Sequence, residues 1–543
     1  MANPDDTFAL ALTRFSDEVF DWCARLAESE LVAGRHEQAA AWCRLAARLA
    51  QNFAVSRLAS PELESVLGRL GRAVIKRSGE SSLHPVVGDA PRPCLHVLTE
   101  AYSTGGHTAL CRRWIEAVSE LAHSVVLTGQ SLAAVPAVLA QAAVSSGGLV
   151  HSLDPSRGLV GRAEDLASLA AGYDLVVLHI HMWDPVAPIA FASPGGPPVV
   201  LVNHADHVFW LGAQTPDLVL NIRPSGEDAC VKNRGRSQDA CLRFPLPLPT
   251  PPLQKQKLTE TVRRELAIPD DSALLLTIGS AYKYNPTPEL DFFRAVEQVL
   301  AAAPTAHLLA IGPDPSEPRW AHLQHITKGR ARALGRKDDI VPYLAAADVY
   351  LEGFPFGSLT ALLEAGLSGL PAVLAPQDCP LPFRSDDFAI DGDSPANVQN
   401  YIQETLKLIT NLEHRLEAGK HLQNRVRALH CPPRWQAASA EVVSRCRSIG
   451  RHRVPKATMV EPLAPAALLH WSKFTIMGAR GDDPLSFVRR NCVAEGLRPR
   501  IDARLVGTAL SFSFKFKLQR VLKNLCGVAL LALTPRLLFK AGK

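Results

Sequence analysis

Hydrophobic positions follow a helical period at the start of the chain and alternate between strand and helix patterns afterwards. In 17–27 and 36–50, small and apolar residues recur at the spacing of one helix face. This pattern predicts a helical N-terminal domain over 1–80. The stretch that follows, 78–93, is polar and rich in glycine and proline, which is typical of a linker.

The second helical segment has a more specific likeness. Its sequence, LVAGRHEQAAAWCRLAARLA, resembles the helix–turn–helix of a tetratricopeptide repeat. One such unit cannot bury its own apolar face, so we expect these helices to pack within a small helical domain or on the domain that follows. The segment then either binds a peptide or braces the rest of the chain.

From residue 94 onwards, short apolar strands alternate with amphipathic helices in two blocks. The first block spans 94–245 and the second 255–430, with the proline-rich connector FPLPLPTPPL between them. This alternation predicts an α/β fold with parallel sheets covered by helices on both faces. We therefore expect two doubly wound, Rossmann-like domains facing a cleft, with ligands at the carboxyl ends of the strands. The predicted strands are 94–98, 125–127, 175–179 and 199–202 in the first block and 273–278, 307–311 and 349–351 in the second.

The end of the chain has a different character. We expect 431–453 to form a helix that closes the two-domain core, and 454–543 to form an extension. After Asp502 the chain has no acidic residue, and its lysines and arginines are interleaved with apolar residues. This composition predicts peripheral contact with an anionic membrane through 505–543. The alternative is a tail helix that docks on the protein and leaves its lysines in solvent.

Composition and charge narrow the classes of partner. A net charge of +5 over 543 residues is too mild to indicate a nucleic-acid partner. The eleven cysteines include no CxxC pair and no Cys/His spacing typical of a metal site, so we expect free thiols in a reducing compartment. The first residues are acidic where a signal peptide is basic, and no apolar run is long enough to span a membrane. We therefore expect a cytoplasmic protein, either free or peripheral at the inner membrane.

One stretch of the second block, LEGFPFGSLTALLEAGLSGLPAVL, combines a strand, a glycine turn and a helix start. Free backbone N–H groups at the helix start favour an anion, and the hydroxyls of Ser358 and Thr360 lie beside them after Gly357. Glu364, further along the helix, is placed to accept hydrogen bonds from ribose or sugar hydroxyls. Lys283 follows the first strand of this block, where its cation would neutralise a diphosphate.

The first block contributes a glycine loop directly after its first strand. Gly105 and Gly106 let the backbone approach a ligand closely, and His107 begins the next helix. A histidine at that place is a candidate general base.

Histidines also follow two later strands of the first block. The segment LHIHMWDP carries His179 and His181, and the segment VNHADHVFWLG carries His204, Asp206 and His207. Their position at strand ends favours a cleft role, such as contact with an acceptor. A structural hydrogen bond is the alternative for each histidine taken singly.

Together these residues resemble a GT-B glycosyltransferase. The run DDIVPYLAAADVYLEGFPFGSLTALLEAGLSGLP looks like the nucleotide-sugar half of these enzymes. More closely, FPFGSLTALLEAGLSGLPAV and YKYNP resemble the soluble N-glycosyltransferases that modify bacterial adhesins, relatives of the O-linked N-acetylglucosamine transferases. The loop at Gly105 and Gly106 looks like that of glycosyltransferase family 4, although the acids Glu352 and Glu364 do not have the spacing of that family.

The resemblance implies roles for single residues. Lys283 matches the lysine that contacts the nucleotide diphosphate, and Glu364 matches an acid that holds the ribose, which tends to be Asp in the adhesin enzymes. Ser358 and Thr360 match the phosphate-contacting helix start, whereas Leu359 replaces a polar residue there.

The activity that this implies is transfer of a hexose from a nucleotide diphosphate sugar, UDP-linked, to a protein or glycan acceptor, with neither a cofactor nor a metal. Two alternatives stay open. The first is a retaining polysaccharide or lipid-glycan transferase at the membrane face, and the second is a non-catalytic scaffold on the same frame. Donor sugar, acceptor and stereochemistry are left undecided by the sequence.

Overall fold

The computed structural model describes residues 4–75, 92–103, 106–193, 195–248, 255–385, 394–432, 434–449, 460–478, 483–498, 502, 504–506 and 508–509. The strands are β1 (Arg92–Leu98), β2 (Leu121–Leu127), β3 (Val150–Ser152), β4 (Leu175–His179), β5 (Val199–Asn203), β6 (Leu218–Asn221), β7 (Cys241–Arg243), β8 (Leu274–Ile278), β9 (His307–Ile311), β10 (Ala331–Ala333), β11 (Val349–Leu351) and β12 (Ala372–Val373). The helices are α1 (Pro4–Val32), α2 (His36–Asn52), α3 (Pro61–Val74), α4 (Gly106–Ala117), α5 (Ala137–Ser145), α6 (Gly158–Ala170), α7 (Val186–Ala190), α8 (Pro224–Lys232), α9 (Lys255–Glu265), α10 (Phe292–Ala302), α11 (Pro318–Ile326), α12 (Val341–Ala346), α13 (Leu359–Leu367), α14 (Val398–Thr410), α15 (Leu412–His430), α16 (Arg434–Ile449), α17 (Pro465–Gly478) and α18 (Pro484–Ala494).

The strands form two parallel sheets. The first has the order β3-β2-β1-β4-β5-β6-β7, and the second has the order β10-β9-β8-β11-β12. Their central strands are apolar and buried on both faces, as parallel strands covered by helices require. In each sheet the strand order reverses beside the first strand of the block, β1 or β8, which opens a crevice at the carboxyl edge. The prediction of two Rossmann-like sheets is confirmed.

The N-terminal segment is helical, as predicted, and packs on the first sheet. Its helices α1 to α3 share one apolar core with β1, α6 and α7. Glu64 of α3 accepts hydrogen bonds from the backbone N–H groups of Gly212, Ala213 and Gln214 at 2.9, 2.9 and 3.1 Å. These contacts favour the bracing role, and the tetratricopeptide likeness stays a prediction.

Helix α3 meets α7 so closely that one glycine is required. A Cβ atom added to Gly71 would lie 2.5 Å from the Ile189 carbonyl oxygen and 2.5 Å from the Ala192 Cβ. At Gly68, on the same helix, the nearest atom is the flexible Arg72 guanidinium at 3.4 Å.

We expect opposite effects from alanine at these two positions. Gly71→Ala should lower the free energy of unfolding by about 1–3 kcal/mol, since backbone must move to admit the methyl group. Gly68→Ala should raise it by about 0.5–1 kcal/mol, since alanine is the better helix former. Urea unfolding of both variants measures this. Equal effects of the two variants would show that α3 does not dock on α7 in this way.

The C-terminal extension returns to the core through α17. Lys473 pairs with Asp6 of α1 and with Glu289 of the second domain, both at 2.7 Å. Thr13 and Ser472 share a 2.6 Å hydrogen bond between α1 and α17. The extension therefore ties the N-terminal helices to the second domain.

Helix α16 follows the second domain in the sequence but packs on the first domain. The Trp435 ring lies 5.9 Å from that of Trp114 and 5.5 Å from that of Phe244.

Most of 505–543 lies outside the described residues, so the fold does not test the membrane contact predicted for this segment. None of the described helices has the length and hydropathy needed to cross a membrane.

Candidate active site

The two sheets face each other across a cleft of about 1490 Å³. Its first-domain wall comes from the loop and helix after β1 and from the turn after β5. Its second-domain wall comes from the segment after β8 and from the turn that leads from β11 into α13. These are carboxyl ends of parallel strands, the place where doubly wound sheets bind ligands.

Lys283 occupies the second-domain wall beside the start of α13. Its Nζ donates a 2.7 Å hydrogen bond to the Gly357 carbonyl and lies 4.9 Å from the centre of the Phe356 ring. Burial lowers the pKa of Lys283 to about 8, although the nearby Glu352 carboxylate opposes this shift. The lysine is therefore a desolvated cation that gains from any anion entering the cleft.

The turn around Gly357 leaves no room for a side chain. A Cβ atom on Gly357 would lie 2.3 Å from Glu352 Oε1, and one on Gly279 would lie 2.8 Å from Ser358 Oγ. Glu352 is fully buried, and its Oε2 accepts a 2.9 Å hydrogen bond from the Ala375 backbone. Glu352 therefore fills the space beside Gly357 and connects the end of β11 to the segment after β12.

The first turn of α13 faces the cleft. Gly357, Ser358 and Thr360 all line it, as the sequence predicts for a phosphate-binding helix start. Across the cleft, a Cβ atom on Gly106 would approach Thr360 Oγ1 to 3.4 Å. Gly105 lies outside the described residues.

Glu364, the predicted ribose acid, reaches across the cleft. Its Oε1 accepts a 2.7 Å hydrogen bond from Arg113 Nη2 on α4, and both side chains are largely buried. Sequence reasoning missed Arg113, because the pair Arg112–Arg113 on an amphipathic helix gives no signal of which arginine crosses to the other domain.

His107 lines the first-domain wall. Its Nε2 donates to the Glu100 carbonyl at 3.0 Å, which leaves Nδ1 as the basic nitrogen. Burial lowers the pKa of His107, so the ring is neutral at pH 7. The ring lies 5.6 Å from that of His204 and 5.7 Å from that of His181. His204 lines the cleft, and burial lowers its pKa to about 3; His181 stands beside His107 without lining the cleft itself.

Asp206 and His207 line the cleft but already have protein partners. The Asp206 carboxylate accepts from Arg223 at 2.5 and 2.8 Å, and Arg223 also donates to the Arg384 carbonyl of the second domain at 2.7 Å. Burial alone would raise the pKa of Asp206, but the Arg223 guanidinium and His207 lower it. The His207 ring packs 4.6 Å from Phe356. This group joins the two domains, and its predicted acceptor contact stays a prediction.

His179 has the structural role that the sequence leaves open for each single histidine, and it does not line the cleft. His179 is fully buried, and its Nε2 lies 3.1 Å from His96 Nδ1. The chain continues from His96 Nε2 to His123 Nδ1 at 2.9 Å, and His123 Nε2 donates to the Val118 carbonyl at 2.7 Å. Burial lowers the pKa of all three histidines, which keeps them neutral. They form a structural link between β2, β1 and β4.

Helix α17 also supports the site, which sequence reasoning did not foresee. His470 Nε2 donates a 3.0 Å hydrogen bond to the Pro355 carbonyl, directly before the Phe356–Gly357 turn. The rings of Trp471 and Phe383 stack at 5.5 Å on the same side. The extension therefore packs behind the turn that Lys283 contacts.

Two doubly wound parallel sheets whose carboxyl edges face each other across a cleft define the GT-B fold. No protein-family model and no curated protein matches the sequence. Among solved structures, Anabaena HepE in complex with UDP and glucose is 12% identical, with a TM-score of 0.50 over 65% of this chain and 100% of that one. A glycosyltransferase from Rickettsia africae is 10% identical, with a TM-score of 0.51 over 66% of this chain and 99% of that one. At such identities the likeness establishes the fold alone.

Proposed function

We propose that the protein is a glycosyltransferase that moves a hexose from a UDP-linked donor to a protein or glycan acceptor. The observation that carries this proposal is the second-domain wall of the cleft, which Lys283, the start of α13 and Glu364 line together. The UDP and UDP-glucose complexes of Anabaena HepE, which shares the fold, support the choice of nucleotide.

Each part of the wall has a separate chemical task. Lys283 and the N–H groups at the start of α13 stabilise the charge that develops on the leaving diphosphate. Glu364 accepts hydrogen bonds from ribose hydroxyls. On the facing wall, the free Nδ1 of His107 takes the proton of the acceptor nucleophile as the new glycosidic bond forms.

The test is thermal stabilisation by UDP, GDP, ADP and their sugar conjugates. A specific ligand at a hundredfold excess over its Kd stabilises the folded protein by about 2.7 kcal/mol. We expect the shift with UDP compounds and not with the purine nucleotides. A shift with GDP or ADP instead would change the donor, and no shift with any of them would favour the non-catalytic scaffold.

His107 makes the proposal sensitive to pH. The proposed base acts as the neutral ring, so kcat/KM should fall as the pH decreases through the pKa of His107. Burial places that pKa below the ordinary histidine value of 6.5. Lys283 works as the cation, so kcat/KM should fall as the pH rises above about 8.

His107→Ala should lower kcat by about 10²–10⁴-fold and remove the acid limb of this profile. His325→Ala, on α11 of the second domain, is the matched control and should keep both limbs. An acid limb that survives in His107→Ala would assign the base elsewhere.

A further inference from the structure

A surface beside the cleft exposes large apolar side chains. It comprises Leu132 before α5, Val138 and Val144 on α5 and Leu149 after α5, together with the exposed polar residues Gln141 and Ser145, and we call it the α5 surface. Leu132, Val138, Val144 and Leu149 are 55%, 59%, 59% and 62% exposed. In the described part of the chain, no other stretch of similar length exposes so many large apolar residues. A concentration of exposed apolar side chains on a protein surface marks a candidate contact site.

The same stretch has no charge. The sequence contains no Asp, Glu, Lys or Arg between Glu120 and Asp154. A protein interface of ordinary size includes polar and charged contacts around its apolar centre, which fix orientation and partner. A bilayer makes no such demand, because apolar side chains enter the boundary between headgroups and acyl chains without specific partners.

The position of the α5 surface connects it with the acceptor wall. Pro136, Ala137 and Val138 line the cleft on the same side as His107. Val138 is both exposed and part of this lining. The apolar surface therefore continues to the mouth through which an acceptor reaches His107.

The chain also supplies the opposite charge to an anionic bilayer. After Asp502 its sequence has lysine and arginine as the only charged residues, interleaved with apolar ones. Such a segment is attracted to anionic headgroups and complements exposed apolar side chains that enter the acyl region.

We propose that the α5 surface docks on an anionic phospholipid bilayer and that the cleft takes its acceptor from that membrane. The docking stands on the exposure, the missing charges and the basic tail. The acceptor class, a glycan on a lipid carrier, rests on the proposed glycosyl transfer. Among the two acceptor classes left open by the sequence, this surface favours the glycan.

Flotation of the full chain with vesicles of phosphatidylcholine and phosphatidylglycerol tests the docking. The variant Val144→Glu/Leu149→Glu changes two residues of the surface that do not line the cleft. Wild type should float with the vesicles, and the variant should partition about a hundredfold less, or about tenfold for each side chain. Val32→Glu is the matched control, because Val32 is 72% exposed on α1, outside this surface, and it should float as wild type does.

The other outcomes overturn the proposal. Wild type that stays with the soluble fraction, or a double variant that floats equally, removes the docking surface. A dimer seen by sedimentation velocity without vesicles, and lost in the double variant, assigns the surface to a second copy of the chain. The UDP-induced melting shift, measured without vesicles, reports on the donor site separately. If both proteins show this shift, a failed flotation contradicts only the membrane proposal. If wild type shows no shift, the proposed function itself is contradicted.

Discussion

Replacing Lys283 with methionine should lower kcat/KM for sugar transfer by about 10²–10³-fold, the loss expected when one preorganised charge is removed from a transition state. Methionine keeps an apolar stem against Phe356, over which Nζ stands at 4.9 Å, so the turn should keep its packing. Burial lowers the pKa of the Lys283 ammonium to about 8. A diphosphate there restores the stability of the charged form, which is why the loss should appear in nucleotide affinity as well as in rate.

Two further variants separate charge from packing. Lys283→Arg keeps a cation whose pKa stays far above the assay range, so any residual activity should lack the alkaline limb near pH 8. Lys420→Met, on the exposed face of α15, changes the net charge equally and should leave activity and the UDP-induced shift unchanged. Full activity in Lys283→Met, with a normal UDP shift, would end the assignment of Lys283 to the diphosphate.

The fold was predictable because its signals are local. Most of the buried parallel strands are short apolar runs followed by a helix, so 94–98, 175–179 and 307–311 were located within a residue or two. The strands at the sheet edges, such as β7 and β10, are three residues long and leave too weak a pattern. Helix α17 was missed for a related reason, since its apolar residues lie on several sides and give it no single face.

The site was predictable where one domain supplies it and not where two domains meet. Lys283, Gly357 and Glu364 follow from strand, turn and helix order within the second block. Arg113 and Arg223 act on the opposite domain, and no local pattern encodes such a contact. The place of His179 was left open for another reason: strand-end position predicts the edge of the sheet, but the side of the strand on which the residue falls decides between cleft and core.

The pair of Arg113 and Glu364 gives the strongest constraint on how the cleft works. The Glu364 carboxylate, to which we assign the ribose, has a guanidinium partner, Arg113, 2.7 Å away. A ribose hydroxyl bound as we propose would replace or share that contact. Under the proposed function, donor binding and the interdomain ion pair compete for Glu364, and removing either partner of a largely buried pair leaves the other charge without compensation.

This competition predicts opposite effects on UDP binding. Glu364→Gln should weaken UDP binding by about 10–100-fold, the value of a hydrogen bond to a charged group. Arg113→Met should lower the melting temperature of the free protein but increase the UDP-induced shift, since the nucleotide then relieves an unpaired carboxylate. Wild type should also bind 2′-deoxy- or 3′-deoxy-UDP more weakly than UDP, and Glu364→Gln should lose that discrimination. Arg69→Met breaks an exposed ion pair with Glu28 and should leave the UDP shift unaltered.

The double variant decides between two interpretations of Arg113. If Arg113 only competes for Glu364, then Arg113→Met adds nothing to UDP binding once Glu364 is Gln, and the two substitutions are strongly non-additive. If Arg113 instead turns to the diphosphate when the donor enters, Arg113→Met weakens UDP binding by itself, and the loss grows from uridine to UDP because only the latter has the diphosphate. Isothermal titration of wild type, both single variants and the double variant with uridine, UMP and UDP distinguishes these cases. Uridine has no phosphate. If Arg113→Met and Glu364→Gln weaken uridine binding equally, both interpretations are wrong, because the nucleoside would then be bound by the intact ion pair and not by the free carboxylate.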